Sequence, residues 1–209
     1  MKNIFVSSHP LTQHKLTMLR DKNTGAKEFR ELVSEMSLLL GYEATRDLPL
    51  REVDVTTPVG VARSKVMKDA KIALVPVLRA GLQMVDGLIN VMPNARIGHL
   101  GIYRDRETGE SVEYYCKMPE DICERDVFIL DPLIATGEST CMALERVKKF
   151  NPRSVRLIAI IASAKGIEMV SKMHPEIEIY LADIDDELSK DGVIIPGVGD
   201  AGNRLFGTM

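Results

Sequence analysis

The stretch Val127-Phe-Ile-Leu-Asp-Pro-Leu-Ile-Ala-Thr-Gly-Glu-Ser-Thr140 joins an apolar run of strand length to an acid, a short loop and the start of a helical pattern. Such a junction suits an anion. Backbone N–H groups from Ala135 through Thr136, Gly137 and Glu138 to Ser139, with the hydroxyls of Thr136, Ser139 and Thr140, would ring a phosphate at a helix N-terminus. There, donors without helical partners and the helix dipole favour negative charge. Asp131, at the strand end, would then reach sugar hydroxyls. A plain turn capped by Thr136 would explain the Thr-Gly pair by itself, and a phosphate here requires Glu138 to face solvent.

A second anion-directed group stands in Val75-Pro-Val-Leu-Arg-Ala-Gly-Leu82. Arg79 ends another apolar run and offers a planar fork of donors suited to phosphate oxygens, while Ala80-Gly81 leaves room for main-chain contact. Arg104 opens a charged segment and gains weight only in company with Arg79, because a surface arginine near a turn needs no ligand to explain it. The third segment runs from 191 to 209, where only Asp191, Asp200 and Arg204 are charged and five of the chain's 15 glycines fall. Gly197, Gly199 and Gly202 permit positive φ and close approach of main-chain groups to a ligand. That composition reads as a binding loop, with an irregular C-terminal coil as the plainer alternative.

These groups need a frame. Phe29, Leu32, Val33, Met36 and Leu40 recur at helical spacing, so a helix is expected over 25–40, capped by Thr24 and ending before Gly41. Val53, Val55 and Thr57 alternate with polar residues before Pro58 and Gly60, which predicts a half-exposed strand or hairpin. Next come an apolar run at 72–78, a helical pattern at 82–91 and a further run at 96–102, which together make a βαβ unit. The rhythm repeats as a strand at 127–130, a helix at about 137–150, a strand at 155–162, a helix at about 166–173 and a strand at 177–184. Strands apolar on both faces are those of a parallel sheet covered by helices. The expected fold is therefore α/β, an open parallel twisted sheet flanked by helices, with ligands beyond the carboxyl ends of the strands. The segment 103–126, with eight acidic and four basic residues, breaks the rhythm and reads as an exposed hairpin or mobile loop.

Composition bounds the rest. The chain of 209 residues, 45% hydrophobic and 27% charged, supports one compact domain over 1–209 and is neither disordered nor repetitive. A net charge of −3 and a pI near 5.9 argue against wholesale nucleic-acid binding. No apolar run approaches the ~18 residues of a membrane span, and the start of the chain lacks a leader pattern, so no membrane partner and a cytoplasmic location are expected. Cys116, Cys123 and Cys141 are odd in number and without C-x-x-C spacing, and are read as reduced, partly buried thiols. The four histidines are scattered, so metal ligation by side chains alone is not expected.

At this point the sequence resembles the uracil phosphoribosyltransferases, from His9-Pro-Leu11 to Phe206-Gly-Thr208. The resemblance is carried by Tyr42-Glu-Ala-Thr45, Leu78-Arg-Ala-Gly-Leu82, Gly101-Ile-Tyr-Arg104, Asp131-Pro-Leu-Ile-Ala-Thr-Gly137 and Ile194-Ile-Pro-Gly-Val-Gly-Asp-Ala-Gly202, in that order. It implies a type I phosphoribosyltransferase-like fold with a β-hairpin arm, a lid near 103–126 and a C-terminal base-binding hood near 191–209. It implies transfer of ribose 5-phosphate from 5-phosphoribosyl diphosphate (PRPP) to N1 of uracil, giving UMP and diphosphate in pyrimidine salvage. By that resemblance Arg79, Asp131 and Asp200 act in catalysis. PRPP lies on Arg79, Arg104, Asp131, Pro132, Leu133, Ile134, Ala135, Thr136, Gly137, Glu138, Ser139 and Asp200. Uracil lies against Ala135, Ile194, Gly199, Asp200 and Ala201. Mg²⁺ arrives with PRPP and its waters near Asp200, without a direct protein ligand. Relatives are homodimers, homotetramers or other oligomers, and some respond to GTP as an effector.

Residue chemistry agrees with that implication. Uracil presents alternating C=O and N–H edges that a glycine-rich loop matches with main-chain groups, and cytosine's amino group would meet a donor. Glu138 departs from a Gly common in the family, and Val193 from a Tyr that many members carry. Asp131 is followed by Pro132, whereas purine phosphoribosyltransferases usually carry two adjacent acids. A nucleotide-sensing pyrimidine regulatory protein on the same fold is the alternative, opposed by the acidic pI and the uracil-type loop. A nucleoside kinase lacks its G-x-x-x-x-G-K-[ST].

Overall fold

The computed structural model describes residues 3–105 and 110–208, with Arg104 described by its backbone alone. The chain begins with β1 (Ile4–Val6), α1 (Pro10–Arg20) and α2 (Ala26–Ala44), then forms the antiparallel hairpin β2 (Leu50–Thr57) and β3 (Gly60–Met67). β4 (Ile72–Leu78), α3 (Leu82–Ile89), β5 (Arg96–Ile97), β6 (His99–Arg104) and β7 (Ser111–Lys117) follow. The second half holds β8 (Asp126–Leu130), β9 (Leu133–Ile134), α4 (Glu138–Lys148), β10 (Ser154–Ile158), β11 (Ile161–Ser163) and α5 (Ala164–Met173). It closes with β12 (Glu178–Leu181), β13 (Asp183–Asp185), β14 (Glu187–Leu188), β15 (Ile194–Ile195) and α6 (Ala201–Phe206).

The principal sheet runs β1-β12-β10-β8-β4-β6-β7, parallel throughout except where β7 turns back along β6. Alternation along each strand explains the continuous apolar runs. Ile72, Leu74, Phe128, Leu130 and Ile158 pack with Leu16, Phe29, Met36, Leu40 and Leu88 of α1 to α3. Ala73, Val75, Val127, Ile129 and Leu157 face the other way, onto Leu144, Val147, Ile167 and Val170 of α4 and α5. Both faces are therefore buried, as a parallel sheet demands.

From β4 the chain moves through α3 to β6 on one side, and from β8 through α4 to β10 on the other. β4 and β8 are nonetheless neighbours, paired from Ile72↔Asp126 to Pro76↔Leu130. Their carboxyl ends mark a topological switch point, where diverging connections open a crevice. Arg79 follows one strand and Asp131 the other.

Several local expectations are corrected. α2 does not stop before Gly41 but runs to Ala44, because α3 packs so closely that a Cβ at Gly41 would stand 2.1 Å from Leu88 Cδ2. Its N-cap is Gly25, while the Thr24 hydroxyl donates to Met18 O at 2.6 Å and closes α1 instead. The hairpin expected near 53–60 forms, but most of its residues are exposed, Val59 at 98%. The strand expected at 155–162 divides into β10 and β11, and that at 177–184 into β12 and β13. In each case the second piece leaves the main sheet for a small parallel sheet, β13-β11-β9. Of the cysteines, Cys141 is buried and Cys116 half-buried as expected, but Cys123 lies exposed.

Candidate active site

A cleft of about 430 Å³ opens over the ends of β4 and β8. Its walls come from three places: Arg79 and Ala80 after β4, the run from Asp131 to Thr140 after β8, and the C-terminal segment at 191–194 and 199–202. A depression of about 550 Å³ lies at the amino ends of the strands, around Asn3, Lys148, Ser154 and Glu176, and holds none of the residues singled out by sequence.

The phosphate-directed loop is built by close approach. Gly137 caps α4 with φ +88°, and a Cβ there would stand 2.9 Å from Gly166 O. A Cβ at Gly166 would in turn stand 2.5 Å from Ala135 O. Ser163 completes the support, its Oγ donating to Ala135 O at 2.5 Å and accepting from Gly166 N at 2.8 Å. The first intrahelical bond of α4 runs from Cys141 N to Gly137 O at 2.8 Å, so the N–H groups of Glu138, Ser139 and Thr140 precede it. Gly137, not Thr136, is the N-cap, and it offers no side chain to cap the helix.

The Asp131 carboxyl is half-buried at the cleft floor and pushed up to about 6 by burial. Thr140 Oγ1 donates to its Oδ2 at 3.1 Å, and this hydrogen bond and one from the Leu133 N–H only partly offset the rise. The Thr140 hydroxyl, expected on a phosphate, is thus used on Asp131. Ser139 Oγ stands 3.0 Å from Ser111 Oγ of β7, which joins the hairpin to the loop.

Arg79 is exposed, its guanidinium 5.4 Å from the centre of the Phe206 ring and its Nη2 3.5 Å from Thr208 Oγ1. The Leu78–Arg79 and Ile195–Pro196 peptides are cis. Gly81 lets α3 start against the sheet, since a Cβ would stand 2.2 Å from Leu130 O. In the C-terminal segment Gly197 and Gly199 have φ of +57° and +76°. Gly202 departs from expectation: it is helical within α6, with Asp200 Oδ1 3.3 Å from where its Cβ would be. Asp200 caps α6, its Oδ1 accepting from Asn203 N at 2.8 Å.

Asp131, Pro132, Leu133, Ala135, Thr136, Gly137 and Ser139 therefore share one cleft with Arg79, Ile194, Gly199, Asp200 and Ala201. Two expected members do not line it. Ile134 is fully buried beneath the loop, and Glu138 borders a neighbouring depression with Lys165 and Asp186. Arg104 ends β6, and its side chain lies outside the described residues, as does part of the 103–126 segment. Two charged switch-point walls and a glycine-rich main-chain wall are brought within one cavity.

The model of the uracil phosphoribosyltransferase family matches residues 6–208. The chain belongs to that family. A uracil phosphoribosyltransferase from Thermoanaerobacter sp. (strain X514) is 55% identical over 207 residues, covering 99% of each chain. The solved structure of the AQ2163 protein from Aquifex aeolicus aligns with a TM-score of 0.92 at 39% identity, covering 97% of each chain. A hypoxanthine phosphoribosyltransferase from Trypanosoma cruzi, at 13% identity and a TM-score of 0.51 over 81% of this chain and 82% of its own, shares the fold alone. In this family member, sequence reading missed the supports of the cleft. Ser163 and Gly166 sit in a helix-cap pattern, Arg20 and Asp185 carried no local signal, and Arg204 stood out only as one of three charges in the final segment.

Proposed function

We propose that this cleft transfers 5-phosphoribose from PRPP to N1 of uracil, giving UMP and diphosphate for pyrimidine salvage. One observation carries the reading: an anion-suited helix start and a glycine-rich main-chain wall face each other across one cavity of about 430 Å³, with Arg79 at its rim. The 5-phosphate sits on the α4 start from Ala135 to Ser139, with Pro132, Leu133 and Ile134 shaping the loop and Glu138 turned aside. Asp131 accepts from the ribose hydroxyls. Uracil lies between Ala135 and the main chain of Ile194, Gly199, Asp200 and Ala201.

The reaction breaks the bond from C1 of the ribose to the diphosphate oxygen, which keeps the electron pair, and forms the N1–C1 bond as the N1 proton passes to the departing diphosphate or to water. Positive charge grows on the ribose ring and negative charge on the diphosphate. The carboxylate of Asp131 faces the first, and Arg79, with Arg104, faces the second. No nucleophilic side chain is needed, because holding both reactants in line supplies much of the acceleration.

The cleft's donor set is consistent with Mg²⁺ carried by the substrate. Among the described residues Asp131 and Asp200 are its only carboxylates besides Asp191 at the rim, and no group of three acids, histidines or cysteines gathers to hold a metal. Mg²⁺ keeps several waters and binds phosphate oxygens with one or two carboxylates. Asp200 and Asp131 are the residues that would accept hydrogen bonds from the waters of a substrate-borne Mg²⁺, which would supply neutralisation of the diphosphate charge.

On the same reading 1–209 is one domain and 191–209 is the base hood, while the lid expected at 103–126 lies in part outside the described residues. Association into dimers or tetramers and a GTP effector rest on the family resemblance, a cytoplasmic location rests on the sequence pattern alone, and among the described residues no helix is long and apolar enough to cross a membrane. Incubation with PRPP, Mg²⁺ and each pyrimidine base tests the proposal. UMP from uracil, with cytosine slower by about 10⁴-fold in kcat/KM, is the expected result. No UMP, together with nucleotide-dependent RNA binding, would turn the reading to a regulator.

A further inference from the structure

The base-facing loop is gripped from behind by residues that do not line the cleft. Arg20, the last residue of α1, donates through Nη1 to Asp185 Oδ2 at 2.8 Å and to Gly197 O at 2.9 Å. Its Nη2 donates to Asp185 Oδ1 at 2.8 Å and Asp183 Oδ2 at 2.9 Å. Asp185, 7% exposed, accepts in turn from Gly197 N at 2.9 Å. Both polar groups of the Gly197 residue are thereby held, its N–H by the acid and its C=O by the guanidinium.

Gly197 has no freedom to substitute another conformation cheaply. Its φ is +57°, and a Cβ would stand 2.2 Å from Ile194 O. It lies three residues after Ile194 and two before Gly199, so its orientation sets the direction of the main chain on both sides of the base-facing wall. Arg204 adds a second hold, donating to Val198 O at 2.8 Å and to Leu19 O at 2.6 Å.

The same frame reaches the phosphate loop. Asp185 lies on β13 in register with Ser163 on β11, and Ser163 Oγ is the group that donates to Ala135 O. One parallel strand pair thus carries the support of both walls. A planar bidentate pair such as Arg20 with Asp185 fixes orientation as well as distance, which a lysine in its place would not do.

We propose that Arg20 and Asp185 are positioning residues for base recognition, setting the Gly197 peptide and hence the spacing between the base-facing main chain and the phosphate loop. The proposal rests on the transferase reading above. Its test compares Arg20→Gln, Arg20→Lys and Asp185→Asn with the wild type in KM for uracil, KM for PRPP, kcat and amide hydrogen exchange over 194–204. Arg20→Gln should raise KM for uracil about tenfold or more, leave KM for PRPP within about twofold, and speed exchange in 194–204. Arg20→Lys, keeping the charge without the fork, should fall between and remains informative if the glutamine variant does not fold. Unchanged uracil KM in the lysine and asparagine variants, or equal losses for both substrates with no local change in exchange, overturns the proposal. If the wild type makes no UMP, the transferase reading falls and base recognition falls with it, whereas a wild type that makes UMP with unchanged exchange over 194–204 in the variants overturns the positioning role alone.

Discussion

Arg79 is exposed at the mouth of the cleft, and its contacts with Phe206 and Thr208 are long ones. Its removal leaves no buried group without a partner, so Arg79→Ala should lower kcat/KM for PRPP by about 10²-fold or more while Tm moves by no more than roughly 2 °C. Unaltered PRPP kinetics would take Arg79 out of the mechanism. Asp131 behaves differently because burial pushes its carboxyl up to about 6. A raised acid favours the protonated form in the native state, so its effect on stability is absent below the ordinary value near 4 and grows unfavourable as pH rises to about 6. Asp131→Asn should therefore match the wild type in Tm at pH 4 and exceed it at pH 7, by roughly 2–4 °C for about 1 kcal/mol. In activity the sign reverses. The wild type should show kcat/KM rising through pH 6 as the carboxylate forms, and the asparagine variant should be slower and lack that limb.

Glycines at helix and loop contacts divide sharply by what surrounds them. A Cβ at Gly87 of α3 would stand 1.9 Å from Ser34 O on α2, whereas one at Gly60 in the hairpin would meet nothing within 4 Å. Gly87→Ala should cost about 2–3 kcal/mol because the obstacle is backbone that cannot turn aside. Gly60→Ala should stay within about 0.5 kcal/mol, and urea unfolding of the pair separates the two cases. Neighbouring elements explain which parts of the helices could be read in advance. The apolar stripe of α2 was legible at Phe29, Leu32, Val33, Met36 and Leu40, all of which are buried. Its C-terminal end was not, because Gly41 resembles a stop signal and its actual role is to admit Leu88 from another helix.

At the scale of the molecule, acid–arginine pairs at both ends of the sheet contribute to the pH dependence of stability in acid. Asp121 is held at about 2, chiefly by hydrogen bonds from Arg125. At Asp126 and Asp185 burial acts in the opposite direction, but hydrogen bonds from Arg153 and Ser154 in one case, and from Arg20 and the Gly197 N–H in the other, outweigh it and lower both. A lowered acid contributes stability above its ordinary value and loses it as pH falls through the native one. Tm should therefore drop steeply between about pH 4 and pH 2, and calorimetry should find a shallower drop in Asp185→Asn, which begins from a lower Tm at pH 7.

Local pattern determined the strand and helix types, the acid and the glycine of the 131–137 loop and the presence of a glycine-rich final segment, because these depend on residues adjacent in the chain. Only the tertiary structure decided that β4 and β8 lie side by side with diverging connections, which turns Arg79 and Asp131, 52 positions apart in the chain, into walls of one cleft. It alone decided, too, that Arg20 reaches Asp185 and Gly197 and that Ser163 reaches Ala135. Such contacts join segments distant in sequence, and no periodicity or spacing encodes them.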